Sequence, residues 1–318
     1  MLERNVMAPS EVASPPVSSS LDHPLGPADY LPLAKPGITA LICLVAVAGF
    51  LLAAPRSVDL VRLAVLVATG ASASAGSAML NHYLDRDIDR RMKRTRGRPL
   101  ADEHVISGSN VAVVGLALLA VGIGGASVFL NLLTGFSIFL GGITYVGIYT
   151  LWLKRRSSWN IVIGGFAGSA PALAGSAAAV GTWTPGVLLF ALLVFLWTPP
   201  HFWSLALLLR DDYARANLPM LPRMEDVPFS GKVVVVSAAL LVPAALLIGW
   251  AGAVAWPVLL ALAALGVLFV VVTLPLWREV TRSSARRGFI FSGPYLLGVV
   301  VAIAVNVPLI RAGVPTGF

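Results

Sequence analysis

Nine stretches of roughly twenty residues with few charges dominate this sequence: about 37–54, 60–84, 109–130, 132–152, 159–180, 185–209, 232–250, 254–277 and 289–310. A hydrocarbon layer about 30 Å thick takes about 20 apolar residues to cross as a helix. Inside lipid every backbone polar group needs a partner within the protein, so runs of this length specify helices. The expected fold class is all-α, a polytopic membrane protein with nine transmembrane helices. Hydrophobic residues make up 57% of the chain and charged residues 12%, which excludes an ordinary water-soluble domain. Interior glycines and prolines, such as Gly164, Gly165, Pro171, Pro199 and Pro200, are tolerated where neighbours or cavity water satisfy the freed backbone groups.

Charge placement orients the chain. With nine spans, the N-terminal segment and every second loop fall on one side, and 20 of the 23 Lys and Arg residues lie there. Only Arg56, Arg62 and Arg311 fall on the other. Basic loops stay in the cytoplasm, so the N-terminus is expected inside and the C-terminus outside. The net charge of +8 therefore marks a membrane surface, and a nucleic-acid partner is not expected. The single Cys43 excludes a disulfide framework and reads as packing. Residues 1–30, rich in Ser and Pro, read as a disordered tail without an export signal, and 31–318 as one membrane domain.

The second run ends in Asn81-His82-Tyr83-Leu84-Asp85-Arg86-Asp87-Ile88-Asp89. If the helix continues, Asn81, Asp85 and Asp89 share one face. Asp87 points elsewhere, and His82 is read as interfacial. Two carboxylates and an amide oxygen suit a hard cation such as Mg²⁺, whose remaining ligands are water and phosphate. Arg90, Arg91, Lys93, Arg94, Arg96 and Arg98 follow, and guanidiniums fit phosphate bidentately. The pattern points to a metal-bound diphosphate at the cytoplasmic surface.

The sixth run ends in Trp197-Thr198-Pro199-Pro200-His201-Phe202-Trp203 and leads to Asp211 and Asp212. These adjacent acids diverge by about 100° on a helix, so one is expected to face inward, opposite the first cluster. His201 lies well inside a span, where a polar group implies a role; it could ligate a haem iron or orient a polar substrate group. The small residues of 160–174 read as close packing, as room for a large substrate, or as both. Trp152, Trp183, Trp197, Trp203 and Trp277 read mostly as an interfacial belt.

Asn81-x-x-x-Asp85-x-x-x-Asp89 with Arg94-Thr95-x-x-Arg98-Pro99-Leu100 resembles the first motif of the UbiA-type intramembrane prenyltransferases. Within them, four segments are similar to the haem-farnesylating branch: Lys35–Ile38, Tyr149–Gly165, Trp197–Trp203 and Asp212–Pro222. The resemblance implies a helical bundle around a central cavity with a cytoplasmic cap, in the cell (inner) membrane. It implies farnesyl diphosphate and haem b as substrates, haem O as product, and Mg²⁺ as cofactor. It assigns Asn81, Asp85, Asp89 and Asp212 to the metal–diphosphate site, with Asp211 beside them. It assigns Arg94 and Arg98, and more weakly Lys154 and Arg155, to diphosphate, and His201 to haem. A haem A synthase or an oxidase assembly partner would receive the product. The wider family often has two acids four apart in its second motif, whereas this chain has adjacent ones.

Other readings are a prenyltransferase acting on an aromatic quinone precursor, a cation transporter and a non-catalytic assembly factor. A transporter predicts ionisable groups near the bilayer middle and inverted repeats, whereas these acids sit at one surface.

Overall fold

A computed structural model of the chain describes residues 30–101, 108–221 and 226–316. The tail expected at 1–30 lies, except for Tyr30, outside the described residues. Among the described residues, nine helices are long and apolar enough to cross a membrane, as the sequence leads one to expect. They are α1 (Leu31–Ala53), α2 (Leu60–Arg91), α3 (Gly108–Phe129), α4 (Leu132–Arg155), α5 (Asn160–Val180), α6 (Pro185–Leu208), α7 (Val227–Trp250), α8 (Trp256–Arg278) and α9 (Arg282–Arg311). A short helix, Arg210–Arg215, follows α6.

Two helices outrun the hydrocarbon. At 1.5 Å per residue, the 32 residues of α2 measure about 48 Å against a core of about 30 Å. The excess is its charged end, so the acid-bearing segment stands at the membrane surface as a rigid continuation of a span. The 30 residues of α9 begin at Arg282, ahead of the apolar run, because Thr281 caps the helix reciprocally with Ser284.

Elsewhere the regular helix gives way. In α4 the α-helix stops at Gly142, and Ile143–Trp152 is π-helical, with the Thr150 hydroxyl donating to the Tyr145 carbonyl at 2.8 Å. Such wide turns occur mainly at functional sites. In α1, Lys35 breaks the helix with φ 46° and ψ 63°, a left-handed conformation costing about 1–3 kcal/mol for a non-glycine residue. The Pro36 that follows disfavours right-handed helix at Lys35, so the break is written into the sequence.

The core lies between α6, α7, α8 and α9, where Phe190, Leu193, Leu241, Ile248, Leu262 and Ile303 are sealed. Large apolar side chains such as Val113, Phe129, Leu260 and Val301 are exposed on the outside. An apolar exterior of this extent marks a surface covered by lipid. Trp152 and Trp277 are exposed as an interfacial belt requires, but Trp197 and Trp203 are buried, and Trp183 donates inward to the Ser137 hydroxyl. Trp197 and Trp203 belong to the bundle interior, where α6 packs against its neighbours, and Trp183 is half-buried in the loop before α6.

The small residues of α5 serve two ends. A Cβ on Gly49 of α1 would fall on the Ala172 backbone, and one on Gly175 would meet the backbone of Ala46 and Phe50, so α1 and α5 touch backbone to backbone. Gly164, Gly165 and Gly168, nearer the charged end, border a cavity instead. Gly49→Leu is expected to destabilise the bundle by at least about 1–3 kcal/mol through overpacking. Thermal unfolding of the purified protein in detergent reads this directly.

Candidate active site

One cavity of about 880 Å³ runs into the bundle from its charged end, a volume high in the range of small-molecule sites. Its charged lining comprises Lys35, Asp85, Asp89, Arg94, Arg98 and Lys154, and its deeper wall is apolar or small, from Ile42 and Val45 to Pro171 and Leu296. Four cations against two carboxylates leave a surplus of two positive charges. A low-dielectric chamber holding that surplus attracts an anion.

The α2 helix continues through the acids, so Asn81, Asp85 and Asp89 are all buried on the cavity side. Each is held by a cation arriving from elsewhere. Lys35 Nζ donates to Asn81 Oδ1 at 2.6 Å and to the Tyr145 hydroxyl at 3.1 Å. Lys154 Nζ lies 2.5 Å from Asp85 Oδ2. Arg98 Nη1 donates to both Asp89 oxygens at 2.9 Å. Asn81 Nδ2 donates to Asp85 Oδ2 at 2.7 Å and to Thr150 Oγ1 at 3.1 Å, so the π-turn reaches the acid row. Among the described residues nothing hydrogen-bonds the Arg94 guanidinium, although Arg94 lines the cavity.

This donor set fits a hard divalent ion. Asp85 Oδ1 is buried with no hydrogen-bond partner among the described residues, which for a carboxylate oxygen is costly unless a cation satisfies it. Among the described residues no three carboxylate, imidazole or thiol groups are gathered closely enough to enclose a metal. Magnesium does not require them, since it takes one or two carboxylates and completes its shell from water and phosphate.

Several expected residues stand elsewhere. Arg155 turns away from the cavity and grips Asp87 at 2.7 and 2.8 Å, an exposed pair worth about 0–1 kcal/mol. Asp211 is 74% exposed, 3.9 Å from Arg210, and faces solvent. Asp212 comes to the same end of the bundle, next to the cavity-lining Tyr213. Its Oδ2 accepts the Arg94 backbone N–H at 3.2 Å, and it pairs with Arg215. Burial opposes ionisation of Asp212, but Arg215 and the backbone N–H groups of Arg94 and Lys93 outweigh it and hold the carboxyl below the usual carboxylate range. Asp212 thus holds the loop that carries Arg94 and Arg98.

His82, expected at the interface, is buried on the cavity wall, and among the described residues neither ring nitrogen is hydrogen-bonded. Lys35, Tyr145, Tyr149 and Tyr213 also line the cavity, and none was singled out as a site residue from the sequence. Burial pushes the Tyr213 phenol up to about 12, so it stays neutral as a donor. Cys43 is a half-buried wall residue. His201 lines the deeper part, its ring stacked on Trp197 at 4.5 Å and tilted against Phe289 at 5.2 Å.

The positions of Lys154 and Arg155 separate their roles. Lys154→Ala leaves Asp85 buried without its partner and is expected to lower activity at least about tenfold. Arg155→Ala is expected to stay within about twofold of the parent, as suits an exposed pair. Steady-state assays of the two variants side by side check this.

A membrane bundle with a cationic, acid-lined chamber opening into an apolar one defines a protein built for an amphiphile with an anionic head. The profile of the UbiA prenyltransferase family matches residues 42–293, and the chain belongs to that family. It is 44% identical over 275 residues to the protoheme IX farnesyltransferase of Metallosphaera sedula, covering 86% of this chain and 94% of that one. It is 40% identical over 283 residues to that of Sulfurisphaera tokodaii, covering 87% and 92%. The fold matches a UbiA homolog from Archaeoglobus fulgidus solved with GPP and Mg²⁺, with a TM-score of 0.60 at 16% identity over 87% of this chain and 99% of that one. It also matches a digeranylgeranylglyceryl phosphate synthase with a TM-score of 0.73 at 17% identity, over 88% and 98%.

Proposed function

We propose that this chain transfers the farnesyl group of farnesyl diphosphate to a vinyl group of haem b, giving haem O and diphosphate. The observation that carries the reading is a continuous cavity whose charged end holds surplus positive charge around Asn81, Asp85 and Asp89 and whose deeper part is apolar. The diphosphate head belongs in the first part, and the isoprenoid chain and porphyrin in the second. Farnesyl transfer to protohaem is the activity named for the relatives at 40% and 44% identity.

In this reading Arg94, Arg98, Lys35 and Lys154 neutralise the diphosphate as it departs, and fixed charges of this kind are usually the largest catalytic contribution. Asn81, Asp85 and Asp89 hold Mg²⁺, which when bound adds Lewis-acid charge at the leaving oxygens; a related fold was solved with GPP and Mg²⁺. The allylic C–O bond breaks with its electron pair on diphosphate. The vinyl group supplies the pair for the new C–C bond, water adds to the remaining cationic carbon, and one proton leaves. The rings of Tyr145 and Tyr149, stacked with centroids 6.2 Å apart, offer π faces to positive charge. Asp212 acts through the loop it caps. The charged end faces the cytoplasm of the inner membrane, and the product passes to a haem A synthase or an oxidase assembly partner.

Incubating the purified protein with farnesyl diphosphate and Mg²⁺, with either haem b or an aromatic acid, tests the acceptor. Mass spectrometry should find a hydroxyethylfarnesyl porphyrin only with haem. Prenylation of the aromatic acid alone would replace this reading with the quinone-precursor one.

A further inference from the structure

The ring of His201 is fixed on three sides. Trp197 and Phe289 cover its faces, and Nδ1 lies 2.6 Å from Ser292 Oγ. Ser292 Oγ also lies 2.5 Å from the Phe289 carbonyl oxygen, and the Ser292 carbonyl accepts Trp197 Nε1–H at 2.9 Å. Ser292 is fully buried, so no solvent reaches its hydroxyl.

Counting protons settles the tautomer. Two oxygens 2.5 Å apart need a hydrogen between them. The carbonyl has none to give, so the one hydroxyl proton of Ser292 goes to Phe289 O. Ser292 is then only an acceptor toward His201, and the contact at 2.6 Å requires a proton on Nδ1. Nε2 therefore carries a bare lone pair. Among the described residues it has no hydrogen-bond partner, it is not among the sealed unpartnered atoms, and His201 lines the cavity. In a neutral imidazole, the hydrogen bond made by one nitrogen decides which nitrogen can bind a metal, and it raises the basicity of that ligand.

We infer that Ser292 is a positioning residue that holds His201 as its Nδ1–H tautomer, so that Nε2 is an axial ligand to the iron of the porphyrin substrate. This rests on haem being the acceptor. It gives the apolar chamber a fixed point: iron held at Nε2 sets the depth of the macrocycle and so limits which of its edges meets the allylic carbon.

The test uses the full-length protein in detergent with haem b and, in parallel, metal-free protoporphyrin IX. The parent should bind haem with an imidazole-ligated iron spectrum. His201→Ala should lose that signature and regain it on adding imidazole. Ser292→Ala should keep an imidazole-ligated iron, with haem bound about tenfold more weakly and the ferrous iron–imidazole stretch at lower frequency. Metal-free porphyrin should bind both variants within about twofold of the parent, whereas misfolding would weaken both porphyrins alike. Ser292→Cys, a weaker acceptor, should fall between parent and alanine. An iron spectrum indifferent to His201→Ala overturns the ligand. A stretch and affinity unchanged in both Ser292 variants overturns the positioning role. Failure of the parent to bind either porphyrin overturns the haem reading itself, a different result from both.

Discussion

Asp85→Asn is expected to lower prenyl transfer by about 10²–10³-fold, the loss that follows removal of one well-placed electrostatic partner of a transition state. Asp85 is 1% exposed, shares Oδ2 with Lys154 and Asn81, and leaves Oδ1 unpartnered. Among the three acid-row residues it alone has a buried, unpaired oxygen. The asparagine variant is the right probe because its amide oxygen still accepts from the Lys154 ammonium and leaves no cavity, whereas alanine removes the partner atom altogether. Asparagine keeps volume and polarity, so the bundle should unfold within a few degrees of the parent while turnover collapses. The Mg²⁺ needed for half-maximal activity should rise in the same variant. A folded Asp85→Asn protein that prenylates at the parental rate would remove the metal from Asp85.

The acid row was legible because a helix has a fixed period and α2 keeps it to Arg91. The same period could have found His82: residues 82, 85 and 89 form an i, i+3, i+7 set, one stripe of a helix. Reading only steps of four from Asn81 put it outside. Other features had no local signal. Lys35 meets Asn81 across 46 residues of chain, a tertiary contact that no periodicity announces. Lys154 faces Asp85 and Arg155 faces outward because they follow a π-helical segment, whose wider turn shifts the register from that of an α-helix. Asp212 reads from the sequence as half of a metal clamp because it follows a span that ends on the same side of the bundle as Asp89. Its carboxylate also pairs with Arg215 and accepts from the Arg94 backbone, contacts that a sequence does not reveal.

Gly168→Trp should cut transfer at least about 10²-fold while leaving the anionic end intact. A Cβ at Gly168 meets nothing nearer than Thr198 Oγ1 at 3.8 Å, so the backbone accepts a side chain there and the indole must project into the cavity that Gly168 lines. Displacing bound reactants by about 1 Å is enough to cost 10²-fold, and an indole occupies far more than that. Gly168→Ala is the control: it relieves a helix interior of glycine, worth up to about 1 kcal/mol in stability, and should keep near-parental turnover. Binding of inorganic pyrophosphate with Mg²⁺, measured by calorimetry, should be the same in all three proteins, because the charged lining lies on α2, its following loop, Lys35 and Lys154. The pair of results separates the chambers: Asp85→Asn disables the head-group end with the apolar part open, and Gly168→Trp blocks the apolar part with the head-group end unchanged. A Gly168→Trp protein with full activity would mean that the reacting chains lie outside this cavity, and the division of labour within it would have to be abandoned.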